Sequence, residues 1–218
     1  MRYDNILFDL DGTITEPVMG ITNAIIYALD KYDIKVEERS TLHKFIGPPL
    51  RDSFKEFYGF DDAKAEEAVG FYREYYAKDG VVENDIMPGI KEALVTLKDG
   101  GCKLYVATSK PELYAKQILE NLGLIQYFDI VAGSTMDGSR DKKELVIEYL
   151  LNQIDNLNRE KTIMIGDRKF DIEGAISCNL HHMGVTFGYG SREELEKAGA
   201  MYIADNASDM CKIILGNN

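Results

Sequence analysis

The stretch ILFDLDGTIT, residues 6–15, decides how this chain folds. It begins as an apolar run suited to a buried strand, and then places two aspartates, Asp9 and Asp11, one residue apart before a glycine. Burying an unpaired carboxylate is unfavourable, and two neighbouring carboxylates also repel each other. Gly12 allows a tight turn that brings the backbone close to a ligand. The pattern therefore predicts a strand whose carboxyl end holds a charged functional site.

Composition limits the kind of protein this can be. The 218 residues are 45% hydrophobic, which is enough for a substantial core, and they carry a net charge of −12. Such an acidic chain is expected to bind neither nucleic acid nor an anionic membrane. The three cysteines show no CxxC spacing, and the acidic N-terminus does not resemble a secretory signal, so we expect a cytoplasmic protein.

Short apolar runs alternate with helical patterns over most of the chain. This alternation predicts a doubly wound, Rossmann-like α/β core, in which helices cover both faces of a parallel sheet. The predicted strands are 4–10, 102–107, 128–132, 162–166, 180–186 and 201–204. The predicted helices are 89–99, 111–122, 141–152, 169–178, 191–198 and 206–215.

Residues 16–86 break this alternation. They show helical periodicity with no convincing strand, and prolines stand near both ends of the region, at Pro17 and Pro88. The sequence therefore predicts two domains, an α/β core formed by 1–15 and 87–218 and an inserted α-helical domain formed by 16–86.

Polar residues follow several of the predicted core strands. The second strand is followed by Thr108, Ser109 and Lys110. A later helix begins with Lys142 and Lys143, and the strand TIMIG at 162–166 is followed by Asp167 and Asp171. Ligands of doubly wound sheets bind at the carboxyl ends of the strands, so these side chains are expected to meet Asp9 and Asp11. By contrast, GYGSREEL at 188–195 lacks the third glycine of a dinucleotide-binding loop and is interpreted as a loop with a helix cap.

These motifs together resemble the haloacid dehalogenase (HAD) superfamily, in its phosphatase majority. The similarity covers nearly the whole chain, through DLDGT at 9–13, Thr108, a lysine at 142 or 143, and GDRKFD at 166–171. The insert is similar to the family's α-helical cap, and FIGPPL and MPGI resemble its phosphoglycolate phosphatase branch.

The resemblance implies a role for each site residue. Asp9 would attack phosphorus and become an aspartyl phosphate, while Asp11 would serve as general acid and then general base. Mg²⁺ would be bound by Asp9, Asp167, the backbone carbonyl of Asp11, and Asp171 directly or indirectly. The transferring oxygens would be bound by Thr108, by backbone amides near Leu10 and Ser109, and by a lysine, for which the branch favours Lys143 over Lys142.

The substrate implied is a small phosphorylated metabolite such as phosphoglycolate. Lys110, Gly47 and Arg51 are predicted to bind it, since Arg51 follows the stiff Gly-Pro-Pro turn of the insert and offers a bidentate guanidinium. The sequence leaves open a 5′-nucleotidase, a pyrophosphatase, or a sugar phosphatase or phosphomutase of the same superfamily. A non-catalytic phosphate-binding or signalling scaffold is the alternative from another class, and monomer and homodimer both remain possible.

Overall fold

The computed structural model describes residues 2–216, which divide into two compact units. The first unit combines the residues up to Glu16 with those from Ile86 onward, and the second is Pro17–Asp85. No helix within 2–216 has both the length and the apolar character that crossing a membrane requires.

Strands and helices are numbered in chain order. The strands are β1 (Asn5–Phe8), β2 (Thr15–Glu16), β3 (Asp85–Ile86), β4 (Lys103–Pro111), β5 (Ile130–Ser134), β6 (Thr162–Gly166), β7 (His181–Val185) and β8 (Tyr202–Ala204). The helices are α1 (Val18–Asp30), α2 (Leu50–Tyr58), α3 (Asp62–Tyr75), α4 (Ile90–Asp99), α5 (Glu112–Asn121), α6 (Lys143–Leu151), α7 (Lys169–Ser177), α8 (Arg192–Lys197) and α9 (Ala207–Leu215).

The first unit is built on a six-stranded parallel sheet with the order β5-β4-β1-β6-β7-β8. The predicted α/β fold class is therefore confirmed, and the predicted core strands and helices are all present. The central strands are apolar throughout because helices cover both sheet faces; Ile6, Leu7 and Phe8 are fully buried. Strands β4 and β5 lie on one side of β1, and the later strands β6, β7 and β8 lie on the other side, so the strand order reverses at β1. In this topology ligands bind where the order reverses, at the carboxyl ends of β1, β4 and β6.

Strand β4 differs from its prediction in length. The sequence predicts an end at residue 107, whereas the strand continues to Pro111 after a shift in its register with β5. A close approach between backbones explains the extension, since a Cβ atom at Gly133 of β5 would lie 2.5 Å from the Lys110 carbonyl oxygen. The absent side chain allows Thr108, Ser109 and Lys110 to leave the sheet edge in extended form.

The second unit is helical, with an aromatic core. Helices α1, α2 and α3 are joined by a 3₁₀ segment, Arg39–Phe45, and α3 continues into a π-helical turn at Tyr76–Gly80. Phe54 stacks on Phe60 and meets Phe45 edge to face. The sequence predicts no strand in 16–86, but Glu16 and Asp85–Ile86 take part in the two-residue strands β2 and β3, which pair with each other.

Candidate active site

The site of the first unit forms where β1, β4 and β6 end. Asp9 follows β1, Thr108 lies near the end of β4, and Asp167 follows β6. Lys143 and Asp171 are supplied by the first turns of α6 and α7. All five side chains are buried, although four of them are ionisable, so partners within the site must compensate for their lost hydration.

Lys143 is the cation at the centre of this arrangement. Its Nζ lies 2.9 Å from Asp9 Oδ1 and 2.8 Å from Asp171 Oδ1, and it donates to the Ala107 carbonyl over 3.2 Å. Burial by itself would lower the pKa of Lys143, but Asp171 and Asp9 raise it above its ordinary value, so the ammonium stays charged. Lys142 is exposed at the N-cap of α6, so of the two lysines it is Lys143 that lies beside Asp9 and Asp171.

Three buried carboxylates surround that one cation. Asp9, Asp167 and Asp171 each present an oxygen within 4.8 Å of those of the other two. Asp167 Oδ2 accepts from the Tyr189 N–H over 2.7 Å, while Asp167 Oδ1 has no hydrogen-bond partner within 2–216. Burial, followed by the charges of Asp171 and Asp9, raises the pKa of Asp167 well above its usual value. The ionised cluster with Lys143 carries a net charge of −2, which suits a divalent cation with oxygen ligands.

Asp171 is held by the helix that carries it. Its Oδ2 accepts from the backbone N–H of Arg168, which places the carboxylate in a capping box at the start of α7. Burial raises the pKa of Asp171 to about 6, despite the opposing charge of Lys143. Gly166 is required beneath this carboxylate, because a Cβ atom there would lie 2.0 Å from the Asp171 carboxyl carbon.

Asp11 is separate from the three-carboxylate cluster. Its Oδ2 pairs with Lys110 Nζ at 2.9 Å, and its Oδ1 accepts from the Thr15 hydroxyl at 3.4 Å. The turn that carries Asp11 depends on Gly12, whose φ of 81° is the left-handed conformation that favours glycine. Burial raises the pKa of Asp11, and Lys110 partly offsets that rise.

The remaining predicted groups of the first unit lie around the same strand ends. The Leu10 N–H donates to Asp9 Oδ1 over 2.7 Å, and Thr108 Oγ accepts from the Lys110 N–H over 3.2 Å. Ser109 is half-buried between Thr108 and Lys110. The Thr108 hydroxyl proton therefore remains available to a ligand, because that bond uses only an oxygen lone pair.

Two predicted substrate-binding residues belong to the second unit. Gly47 lies in the loop before α2 with a φ of 104°. Arg51 lies on α2, where its guanidinium is half-exposed and is 3.5 Å from Asp62 and 4.0 Å from Glu66. Their roles toward a substrate stay predictions.

Tyr189 is a site residue that the sequence prediction missed. Besides the bond from its N–H to Asp167, its hydroxyl donates a hydrogen bond to Glu16. The phenol pKa is raised, first by burial and then by this bond to Glu16, so the hydroxyl keeps its proton. The GYGS signal was visible at 188–191, and Ser191 does cap α8 as predicted, but nothing in the sequence pairs that loop with Asp167.

The chain is similar to known hydrolases and phosphatases. Residues 6–185 match the family described as haloacid dehalogenase-like hydrolase. The chain is 44% identical over 195 residues to a 5′-nucleotidase of Pseudomonas aeruginosa, covering 89% of this chain and 88% of that protein. It is 24% identical over 213 residues to a phosphoglycolate phosphatase of Colwellia psychrerythraea, covering 94% of each. Among solved structures, a predicted phosphatase from Clostridium acetobutylicum is 47% identical, with a TM-score of 0.94 over 99% of this chain and 100% of that one.

Proposed function

Because the chain belongs to the haloacid dehalogenase-like hydrolase family and is a phosphatase that acts on phosphoric monoesters, we propose that Asp9 is its nucleophile and Mg²⁺ its cofactor. The observation that carries this proposal is the placement of Lys143 between Asp9 and Asp171 in a buried cluster of three carboxylates. A nucleophilic carboxylate must approach a dianionic phosphate, so its own charge and that of its neighbours have to be offset.

The donor set supports Mg²⁺. Mg²⁺ prefers oxygen ligands and usually binds through one or two carboxylates while keeping several waters. Asp167 Oδ1 is buried without a partner within 2–216, which is unfavourable unless a ligand occupies that position. Asp9 and Asp167 would hold the ion, with Asp171 and the Asp11 carbonyl as further predicted ligands. When bound, Mg²⁺ supplies positive charge that lets a phosphate dianion enter and that stabilises charge on the transferring group.

Asp9 is oriented for nucleophilic attack by contacts to one of its two oxygens. Oδ1 is engaged by the Leu10 N–H and by the Lys143 ammonium. Oδ2 receives no hydrogen bond from any residue within 2–216 and is the oxygen proposed to attack phosphorus. A bond from Asp9 to phosphorus then forms as the bond from phosphorus to the leaving oxygen breaks. Lys143 and the Thr108 hydroxyl would stabilise the negative charge on the phosphoryl oxygens.

Asp11 would move the protons in both steps. Its raised pKa favours the protonated carboxyl that a general acid needs, and that proton would pass to the leaving alkoxide. In the second step the Asp11 carboxylate would take a proton from water as the water oxygen attacks phosphorus. Inorganic phosphate leaves, Asp9 regains its carboxylate, and Asp11 is again protonated.

For the substrate we propose a small phosphorylated metabolite, with nucleoside 5′-monophosphates ahead of phosphoglycolate. The support is the similarity to a protein named 5′-nucleotidase, which at 44% identity is closer to this chain than the phosphoglycolate phosphatase at 24%. Fold alone would not select between them, because substrate choice in one fold depends on local contacts.

The test measures phosphate release from a panel of 5′-mononucleotides, phosphoglycolate, pyrophosphate, sugar phosphates and p-nitrophenyl phosphate, with Mg²⁺ and after EDTA treatment. Asp9→Asn should abolish turnover, whereas the control Asp155→Asn, which changes an exposed aspartate outside the site, should not. With Asp11→Asn and p-nitrophenyl phosphate, a burst of nitrophenol should accompany a hydroxylamine-labile mass increase on the peptide that contains Asp9. Turnover by Asp9→Asn within tenfold of the wild type would refute the assignment of Asp9 as the nucleophile.

A further inference from the structure

We propose that Lys110 acts in catalysis as a positioning residue for Asp11, instead of binding the substrate as the sequence predicts. This inference rests on the proposed roles of Asp9 and Asp11. Its basis is the contact between Lys110 Nζ and Asp11 Oδ2 at 2.9 Å, in which the side chains are only 5% and 14% exposed.

The backbone of Lys110 is fixed from two sides. Its N–H donates to Thr108 Oγ over 3.2 Å, and its carbonyl oxygen lies in the space that Gly133 leaves open. The register shift between Ala107 and Pro111 also falls on this segment. The fixed backbone therefore limits the positions that the ammonium can take next to Asp11. The long lysine side chain loses most of its rotamer freedom there.

This contact distinguishes the two oxygens of Asp11. An ammonium has three donors and no acceptor, so the oxygen next to it, Oδ2, stays deprotonated. The transferable proton is therefore assigned to Oδ1, the oxygen on the side of the Thr15 hydroxyl. After Oδ1 gives its proton to the leaving oxygen, Lys110 faces a full carboxylate and stabilises it until the attacking water returns a proton to Oδ1.

Lys110 and Lys143 would then have separate tasks in one small site. Lys143 pairs with Asp9 and Asp171 and serves the oxygens on phosphorus. Lys110 pairs with Asp11 and holds the proton-transfer group in position, without gaining or losing a proton itself. Small displacements of such a group lower rates by about 100-fold. If Lys110 acts only through Asp11, its substitution should not change kcat further once the Asp11 carboxyl has been removed.

A double-mutant cycle tests this dependence. Lys110→Met, Asp11→Asn and the double variant would be compared by kcat and KM for p-nitrophenyl phosphate and for a 5′-mononucleotide. Lys110→Met should lower kcat about 10- to 100-fold for both substrates with KM changed less than threefold. In the Asp11→Asn background it should change kcat less than twofold. Lys110→Arg should recover part of the loss, and the exposed Lys142→Met is the matched control.

Additive losses in the cycle would overturn the inference. So would a KM increase confined to the nucleotide at unchanged kcat, which is the signature of a substrate ligand. If Lys110→Met does not fold by thermal melting, Lys110→Gln replaces it in the same cycle. The proposed function fails separately if Asp9→Asn keeps turnover within tenfold of the wild type. Loss of turnover in Asp9→Asn together with additive losses in the cycle rejects only the role of Lys110.

Discussion

The backbone N–H of Tyr189 donates to Asp167 Oδ2 over 2.7 Å, joining two residues that are 22 positions apart in the chain. Because this bond uses Oδ2 of Asp167, the other oxygen, Oδ1, is left buried without a hydrogen-bond partner within 2–216. The loop of Tyr189 thereby makes the two oxygens of Asp167 different, and we expect Oδ1 to be the one that binds a cation.

The loop should tolerate no side chain next to Tyr189. A Cβ atom at Gly188 would lie 2.4 Å from the Asp167 Cβ and 2.4 Å from the Gly12 carbonyl oxygen. Gly188→Ala should therefore displace Asp167 and lower kcat at least tenfold, together with Mg²⁺ affinity measured by calorimetry. Gly70→Ala is the control, because Gly70 is exposed within α3 with open space around it and should gain about 0.5–1 kcal/mol in the free energy of unfolding. An active Gly188→Ala protein with unchanged Mg²⁺ affinity would contradict the role of the loop.

Substitution of Lys143 should lower activity and stability far more than substitution of the exposed Lys142. Lys143→Met leaves Asp9 and Asp171 buried without their ammonium, and breaking such a buried pair typically destabilises by about 3–5 kcal/mol. We also expect kcat to fall about 100- to 1000-fold, as for loss of a charge-stabilising donor. Lys142→Met should leave both kcat and melting temperature nearly unchanged. Equal effects of the two substitutions would show that the site lysine is wrongly assigned.

Stability of the metal-free protein should fall as the pH rises from 5 to 8. Burial raises the pKa of Asp167 and brings that of Asp171 to about 6, so the folded state holds protons that the unfolded state has released. A raised carboxyl pKa contributes stability that is fully present below the unfolded value, near 4, and is lost as the pH passes the folded value. For Asp171 alone the loss is on the order of 1–3 kcal/mol.

Mg²⁺ should oppose that loss, since it binds the deprotonated carboxylates. The increase in melting temperature on adding Mg²⁺ is therefore expected to grow between pH 5.5 and 8, and the measurement is a thermal scan with EDTA or Mg²⁺ at each pH. Asp171→Asn should reduce the pH dependence of the EDTA series. A Mg²⁺ shift of the same size at both ends of the range would contradict the assignment of the cluster as the metal site.

Arg51 provides a test of substrate selection that is independent of the chemistry. If it binds a second anionic group, Arg51→Ala should raise KM for the best metabolite much more than for p-nitrophenyl phosphate. The contacts from Arg51 to Asp62 and Glu66 lie at the surface, where solvent weakens ion pairs, so their loss should leave the free energy of unfolding nearly unchanged. The control is Lys55→Ala, which removes another contact to Asp62. Equal KM changes for both substrates would exclude Arg51 as a selector.

The alternation of apolar runs and helical patterns was sufficient to predict the parallel sheet, because strands covered on both faces must be apolar throughout. The ends of the predicted core elements fall within two residues of the observed ones, except at β4. There the backbone fit of Lys110 against Gly133 extends the strand to Pro111. Such a fit between distant backbones leaves no periodic signal in the sequence.

The sequence by itself determined which residue types stand at the strand ends, and hence the acids, the hydroxyl and the lysines of the site. Only the tertiary structure decided how they pair. It placed Lys143 between Asp9 and Asp171, gave Lys110 to Asp11, and brought the Tyr189 N–H to Asp167. The physical reason is that strand order and loop packing set the distances between charges that lie far apart in the chain, and the strength of an ion pair or a hydrogen bond depends on those distances.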